Sequence, residues 1–169
     1  ILSLGGGNGS DVSCANSEDG LLAVEIASGP APFTFSWSTG EQGPIIDSLG
    51  PGDYSISVTD GAGCLLTESI TLTSPEPLEV FTSSGAGACF GQELGFVSID
   101  SVAGGSGDYR YSIAGTLFAT LPATPVVIEE LFSGTYDFAL QDGNGCTLPF
   151  SVDVEDPPAL TMNLGNDTT

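Results

Sequence analysis

The sequence contains no histidine and no lysine, and Arg110 is its single basic residue. Without histidine the chain lacks the usual general base of hydrolases and the commonest nitrogen ligand of metals, and a Ser-His-Asp triad cannot be built. Against this one arginine stand 22 acidic residues, which give a net charge of −21. Such a charge repels nucleic acid and anionic membrane faces, so we expect neither kind of partner.

Long apolar runs are also missing. No stretch reaches the roughly 18 apolar residues that a membrane-spanning helix needs, so we predict no direct membrane insertion. A helical period of apolar residues is never sustained either, whereas glycine (24) and proline (11) are plentiful and 40% of the residues are hydrophobic. This composition is typical of short strands joined by tight turns around a buried core.

One segment is present twice. Residues 53–64 read DYSISVTDGAGC, and residues 135–146 read TYDFALQDGNGC, 82 positions later. Upstream the offset is smaller, because Cys89 follows Cys14 by only 75 positions. The second copy therefore has about six extra residues between Ile113 and Leu131, which indicates a loop insertion on a repeated scaffold.

The repeat predicts the domain organisation. We place the first copy at residues 1–75 and the second at residues 76–157. Residues 158–169 read PALTMNLGNDTT, which we interpret as the first strand of a following repeat or as a donated strand.

Alternation of apolar residues predicts the fold class. In the first copy Tyr54, Ile56 and Val58 share one face of a strand, and turn signals recur every 8 to 12 residues along the chain. We predict an all-β chain of two tandem Ig-like β-sandwich modules. The DGAG and DGNG segments are expected to be hairpin turns, and the tyrosine that opens the preceding strand, Tyr54 or Tyr136, resembles a tyrosine corner.

Four cysteines allow three pairings. Each copy has one cysteine early and one late, which favours Cys14 with Cys64 and Cys89 with Cys146, one disulfide inside each module. Four reduced, buried thiols in a cytosolic protein are the alternative. A zinc site is disfavoured by the absence of CxxC spacing and of histidine.

The order of these motifs resembles the SprB repeat of Bacteroidota cell-surface adhesins. An early cysteine is followed by an aromatic strand ending in Trp37, by Leu-x-x-Gly-x-Tyr, by Asp-Gly-x-Gly-Cys and by Pro-x-x-Leu. The second copy departs from this pattern with Ile113 in place of the tryptophan. The resemblance implies export to the cell surface and a role in adhesion or gliding motility, and it implies no catalytic site.

Two kinds of site suit an extracellular module. Abundant carboxylates suggest calcium, with Asp19, Asp60, Asp142 and Asp156 as candidate ligands and with solvated acids or turn caps as the alternative. The pattern Asp-Ser/Thr followed by a small apolar residue or threonine is similar to the O-glycosylation sites of Bacteroidota. It marks Ser48, Ser101 and Thr168 as candidate glycan acceptors.

Two further kinds of site have weaker support. The acidic pair Glu129 and Glu130 is adjacent in sequence, so on a strand the two side chains point to opposite faces and do not form a glycosidase pair. The aromatic residues Trp37, Tyr109 and Tyr111 would form a sugar-binding platform if exposed, although one strand face of aromatics is more often core.

Together these observations predict a non-enzymatic, extracellular structural or adhesive module of an extended surface stalk. Its partners would be neighbouring repeats or identical subunits, and surface polysaccharide is a further candidate. The alternatives are a filament subunit that polymerises by β-strand donation through Ile1–Leu4 or Leu160–Leu164, and a secreted carbohydrate-binding module.

Overall fold

The computed structural model describes residues 11–87, 89–91 and 95–162, together with the backbone of residues 2–4. Regular structure in these ranges is entirely β, as predicted, and they contain no helix long and apolar enough to cross a membrane. The thirteen strands are β1 (Leu2–Leu4), β2 (Gly20–Ala23), β3 (Thr34–Trp37), β4 (Ile45–Leu49), β5 (Gly52–Thr59), β6 (Leu65–Leu72), β7 (Glu79–Gly85), β8 (Gly95–Ala103), β9 (Arg110–Ile113), β10 (Ala119–Thr120), β11 (Val126–Leu131), β12 (Gly134–Gln141) and β13 (Thr147–Val154).

The first compact unit comprises residues 1–77, 104–107 and 142–146. Its strands form two antiparallel sheets, with the orders β1-β2-β4 and β3-β5-β6. Apolar residues of both sheets meet in one core, because alternate residues of each strand point to the same side. The buried members are Leu22, Trp37, Ile46, Leu49, Ile56, Val58 and Leu72.

The second compact unit comprises residues 78–103, 108–141 and 147–169. Its sheets have the orders β11-β8-β7 and β10-β9-β12-β13, again antiparallel throughout. A core of Val97, Phe138, Val152 and Val154 lies within this unit, and the rings of Phe138 and Phe150 stack at 5.2 Å.

Strand pairings in the two units follow the sequence offsets. The pairs β2-β4, β3-β5 and β5-β6 of the first unit correspond to β8-β11, β9-β12 and β12-β13 of the second. The short strand β10 lies in the stretch between Ile113 and Leu131 where the sequence predicts an insertion, and it pairs with β9 at the edge of its sheet. The extra residues therefore extend one sheet without changing the other pairings.

Two buried glycines show how close this correspondence is. A Cβ atom on Gly20 would lie 2.8 Å from the carbonyl oxygen of Leu49 and 2.9 Å from the Leu72 side chain. A Cβ atom on Gly95 would lie 2.4 Å from the side chain of Val154 and 3.0 Å from the carbonyl oxygen of Leu131. Both positions therefore require glycine, because two strands approach each other too closely for any side chain.

The predicted tyrosine corners are present in both units. The Tyr54 hydroxyl donates to the carbonyl oxygen of Gly50 at 2.9 Å, and the Tyr136 hydroxyl donates to that of Phe132 at 3.0 Å. Each bond spans four residues and fixes the turn that leads into β5 or β12. A half-buried ring with a bonded hydroxyl satisfies both the apolar and the polar part of the side chain.

The terminal strands differ from the donor-strand hypothesis. Leu2–Leu4 is paired with β2 in the register Leu2 to Ala23, so the described part of Ile1–Leu4 is not a spare strand. Residues 160–162 have no regular structure, and residues 163 and 164 lie outside the described residues. The repeat boundaries 1–75, 76–157 and 158–169 stay a prediction, and the first compact unit includes residues 104–107 and 142–146 from the predicted second copy.

Removing a corner hydroxyl should destabilise the unit that contains it. We expect Tyr54→Phe and Tyr136→Phe each to lower the free energy of unfolding by about 1 kcal/mol, because the carbonyl partner loses its donor. Urea titration followed by tyrosine and tryptophan fluorescence measures this loss. Tyr111→Phe on β9, outside either corner, is the control, and an equal loss in all three variants would contradict the assigned role.

Candidate functional site: the two hairpin turns and their cysteines

The Asp-Gly-x-Gly-Cys segment of the first copy forms a tight hairpin turn between β5 and β6. The Asp60 carboxylate accepts hydrogen bonds from the backbone N–H groups of Ala62 and Cys64, both at 2.9 Å. The Asp60 carbonyl accepts from Gly63 N–H at 3.0 Å, and Gly63 has φ +83°, which favours glycine. The aspartate side chain thus caps the backbone N–H groups of its own turn and fixes the position of the cysteine that directly precedes the next strand.

The second copy repeats this turn between β12 and β13. The Asp142 carboxylate accepts from the backbone N–H groups of Asn144 and Cys146 at 3.0 and 2.8 Å. It also accepts from the backbone N–H of Ser106 at 2.9 Å, and the residue is only 3% exposed. Three N–H donors surround this buried carboxylate and offset the cost of its removal from water. The predicted hairpins are confirmed in both copies.

The structure corrects the predicted cysteine pairing. Cys14 is bonded to Cys146, with a Cα–Cα distance of 5.7 Å and a sequence separation of 132 residues. Cys64 and Cys89 are free and exposed. The disulfide lies inside the first compact unit, and it joins the first sequence copy to the hairpin turn of the second. The expected bonds Cys14–Cys64 and Cys89–Cys146 are replaced by this one.

Strand length explains the correction in the first copy. Backbone N–H groups of Asp11 and Val12 donate to the carbonyl oxygen of Thr73. The segment before Cys14 therefore lies against the residue that directly follows β6. Cys64 directly precedes the first residue of the same strand. Eight residues in a strand span roughly 25 Å, whereas disulfide-bonded Cα atoms lie within about 7 Å. Cys14 and Cys64 are therefore held at opposite ends of β6.

The same constraint applies in the second copy. The backbone N–H of Gly91 donates to the Asp156 carboxylate at 3.0 Å, so the segment after Cys89 lies just beyond the end of β13. Cys146 directly precedes the start of that eight-residue strand. An early and a late cysteine of one copy thus lie at opposite ends of the last strand in each case, and neither predicted pair can close.

Polar contacts around the disulfide were not predicted from the sequence. The Asn144 side-chain amide donates to the carbonyl oxygen of Ser13 at 3.0 Å, and the Ser13 N–H donates to the Asp19 carboxylate at 3.0 Å. Bonds from the Ser13 side chain and N–H lower the pKa of Asp19, with burial opposing them. The stabilisation from Asp19 is thus present above the ordinary aspartate pKa and is lost as the pH falls through the lowered one.

The one sequence signal for this contact is a substitution within the repeated turn. Asn144 occupies the position that Ala62 has in the first copy. An amide can bond a neighbouring segment through its side chain, whereas a methyl group cannot.

Calcium binding at the four candidate aspartates stays a prediction. Each carboxylate accepts a hydrogen bond from a backbone N–H: Asp19 from Ser13, Asp60 from Ala62 and Cys64, Asp142 from three donors, and Asp156 from Gly91. No group of three or more histidine, cysteine or acidic side chains that could hold a metal ion occurs among the described residues. At Asp60 and Asp142 the observed bonds correspond to the turn-cap alternative.

The candidate glycan acceptors also stay predictions. Ser48 is exposed on β4 with φ +57°, and its hydroxyl donates to the Asp47 carboxylate at 3.0 Å. Ser101 is exposed on β8, opposite Phe81 on β7. Thr168 lies outside the described residues. Both described serines are accessible to a modifying enzyme, although the Ser48 hydroxyl already has a partner.

The aromatic residues proposed for sugar binding do not form an exposed platform. Trp37 is 3% exposed in the core of the first unit, and its indole N–H donates to the carbonyl oxygen of Gly43 at 2.9 Å. Tyr109 and Tyr111 are half-buried. The core interpretation of Trp37 is confirmed.

The first part of the chain is similar to a known repeat family. Residues 5–42 match the family model of the SprB repeat. The matched stretch includes Cys14 and all of β3, so the predicted resemblance is confirmed there. SprB repeats occur in cell-surface adhesins, and the match supports an adhesin-related module. SprB repeats and all-β Ig-like folds are typical of non-enzymatic structural modules.

Comparison with solved structures adds a distant similarity. The amphioxus IgVJ-C2 molecule aligns over 84% of this chain and 98% of its own, at 16% identity and a TM-score of 0.34. That similarity is too slight to carry weight, and the description of the fold as paired antiparallel sheets rests on the strand pairings above. No curated protein matches the sequence.

Loss of the observed disulfide should destabilise the protein far more than loss of the free thiols. We expect Cys14→Ser with Cys146→Ser to lower the unfolding free energy by up to about 5 kcal/mol, the chain-entropy value for so long a loop. Urea titration measures it. The matched control is Cys64→Ser with Cys89→Ser, which removes two exposed thiols and should change little. Equal losses in the two double variants would contradict the observed pairing.

Proposed function

We propose that this chain is a structural segment of an extended cell-surface adhesin, in which covalently linked repeats transmit force while the disulfide limits their extension. The disulfide between Cys14 and Cys146 is the observation that carries the proposal. Disulfides persist in oxidising, extracytoplasmic environments, which agrees with the surface setting of SprB repeats. The role is non-enzymatic, and the partners are neighbouring repeats.

The position of the disulfide explains the mechanical role. A pull on the two ends of the chain passes from residue 14 directly to residue 146 through the sulfur–sulfur bond. The 131 residues between the two cysteines, which include the described strands β2 to β12, then cannot be extended by the pull, whereas β13 follows Cys146 and stays in the loaded path. Without the bond the same pull would extend both cores, because their strands lie in series along the chain.

The charge of the chain suits this extended role. A net charge of −21 with a single arginine makes separate molecules repel one another and keeps them soluble. Screening in salt shortens the range of that repulsion to about a nanometre, so close contacts between repeats remain accessible.

The filament alternative is less well supported by the described residues. Donation by the N-terminal strand requires that strand to be unpaired, yet Leu2–Leu4 pairs with β2 along its whole length. Polymerisation through residues 160–164 stays a hypothesis, since residues 160–162 are irregular.

Carbohydrate binding also has weak support. A cleft of about 510 Å³ in the first unit is open to solvent, and Glu25 and Glu68 are its charged lining residues. Its remaining walls are aliphatic or small, with no aromatic side chain among them. Stacking of a sugar ring on an aromatic face is therefore not available in that cleft.

Single-molecule stretching tests the mechanical proposal. The protein is held by tags at its two ends. We expect the fully stretched oxidised chain to be shorter than the fully stretched reduced chain by roughly 450 Å, because the 131 residues inside the loop would each add about 3.4 Å. Reductant or the Cys14→Ser variant should restore that length. The Cys64→Ser, Cys89→Ser double variant keeps the bond and serves as the control. Full extension of the oxidised wild-type chain would overturn the proposal.

The native molecule tests the surface setting. Antibodies raised against residues 11–87 should label intact, unpermeabilised cells, and the reactive species should run far above 17.1 kDa under denaturing, reducing conditions. Labelling only after lysis would contradict a surface role. A native species near 17.1 kDa would instead favour the discrete filament subunit. Peptide masses from the same material report whether Ser48 and Ser101 carry glycans.

A further inference from the structure

We propose that Cys64 and Cys89 are the open halves of two further inter-repeat disulfides, each a copy of the Cys14–Cys146 bond. Cys89 would bond the late cysteine of a following copy of the repeat, and Cys64 the early cysteine of a preceding copy. The proposal builds on the serial arrangement inferred above and extends it from one covalent link to a continuous series.

The first support is the equivalence of Cys64 and Cys146. Both directly follow an Asp-Gly-x-Gly turn whose carboxylate accepts from the cysteine N–H, at 2.9 Å for Asp60 and 2.8 Å for Asp142. The first glycine of each turn also donates its backbone N–H to a loop carbonyl oxygen at 2.8 Å. Gly61 donates to Pro30, and Gly143 donates to Gly107. The turn that presents Cys146 to Cys14 is thus already formed around Cys64.

The second support is the equivalence of Cys89 and Cys14. In sequence, Cys89 precedes β8 and Cys14 precedes β2. In space, the segment around Cys89 lies beyond the end of β13 and the segment around Cys14 lies beyond the end of β6. Cys14 in that position is bonded to a late cysteine, whereas Cys89 has none. Under the same geometry Cys89 requires a late cysteine from a further copy of the repeat.

The third support is the surface around the two thiols. Cys64 is followed by Leu65 and Leu66, which are 67% and 61% exposed, and Cys89 is followed by Phe90, which is 59% exposed. An apolar side chain exposed directly beside each free thiol would be covered by a second protein surface bonded there. These side chains fit a cysteine that another protein surface covers.

Strand length excludes the simplest alternative partners. An early and a late cysteine of one copy are separated by an eight-residue strand, which spans roughly 25 Å. The two free cysteines therefore cannot pair with the bonded cysteine of their own copy even after exchange. Their partners must come from outside that copy.

The chemistry is ordinary thiol–disulfide exchange. The thiolate of Cys89 attacks a small-molecule disulfide such as oxidised glutathione and releases one glutathione thiolate. The late cysteine of the next copy, Cys64 in a second molecule of this chain, then attacks the mixed disulfide and releases the second glutathione. One disulfide is reduced to two thiols, and one protein disulfide forms at the expense of two protein thiols.

Incubation of the 169-residue chain with reduced and oxidised glutathione tests the pairing. We expect a ladder of covalent oligomers on a non-reducing gel, which reductant collapses to monomer. Digestion at acidic residues without reduction should yield a peptide in which Cys64 is bonded to Cys89. Head-to-tail links of this kind do not close, so the ladder should extend beyond the dimer.

Two single variants provide matched controls. Cys64→Ser alone and Cys89→Ser alone should each stay monomeric, because neither variant contains both partners of the Cys64–Cys89 link. When equal amounts of the two variants are mixed, random pairing would make half of all dimers Cys64–Cys89 heterodimers. We expect the heterodimer fraction to be larger than one half. Random proportions, a Cys64–Cys89 bond within one monomer, or thiols that stay free in the native surface protein would each overturn the proposal.

Peptide mapping of the native protein separates the two sources of the partner. A Cys64–Cys89 peptide recovered from a native covalent oligomer, and not from monomer, indicates a second molecule of this chain. A Cys64 or Cys89 peptide bonded to a different cysteine-bearing repeat sequence indicates a further repeat. Failure of either link leaves the Cys14–Cys146 bond and the stretching result unchanged, so it is distinguishable from failure of the proposed function.

Discussion

The separation of early and late cysteines along the last strand of each copy, β6 or β13, governs the covalent structure of this chain. An eight-residue strand is several times longer than a disulfide can span, so a cysteine before the strand and a cysteine packed beyond its end cannot meet. The bond that forms joins Cys14 to Cys146, from two different sequence copies. The same distance leaves Cys64 and Cys89 without the partners that the repeat predicts, and both are free and exposed.

The elements that the sequence predicts well are those set by local chemistry. Alternating residues such as Tyr54, Ile56 and Val58 determine which strand face is buried, and the Asp-Gly-x-Gly turns determine the hairpins. The tyrosine corners were likewise predictable, since a tyrosine four residues after a turn carbonyl recurs at the same offset. None of these features depends on how one copy meets the next.

The disulfide pairing could not be predicted from the repeat alone. Periodicity shows that each copy has an early and a late cysteine, but it is equally satisfied when a cysteine bonds its own copy or the next one. Choosing between them requires the length of β6 or β13 and the side on which residues before β2 or β8 pack. The contact from Asn144 to Ser13 was missed for a related reason, since it joins segments 131 residues apart.

The disulfide also changes what a single peptide-bond cleavage does to the molecule. A protease that cuts once at any exposed loop between residues 14 and 146 leaves two fragments that remain joined through Cys14 and Cys146. The strands on either side stay hydrogen-bonded to their neighbours, so the nicked chain keeps its connection from one end to the other. A chain with this bond stays connected after isolated proteolytic damage until its sulfur–sulfur bond is also reduced.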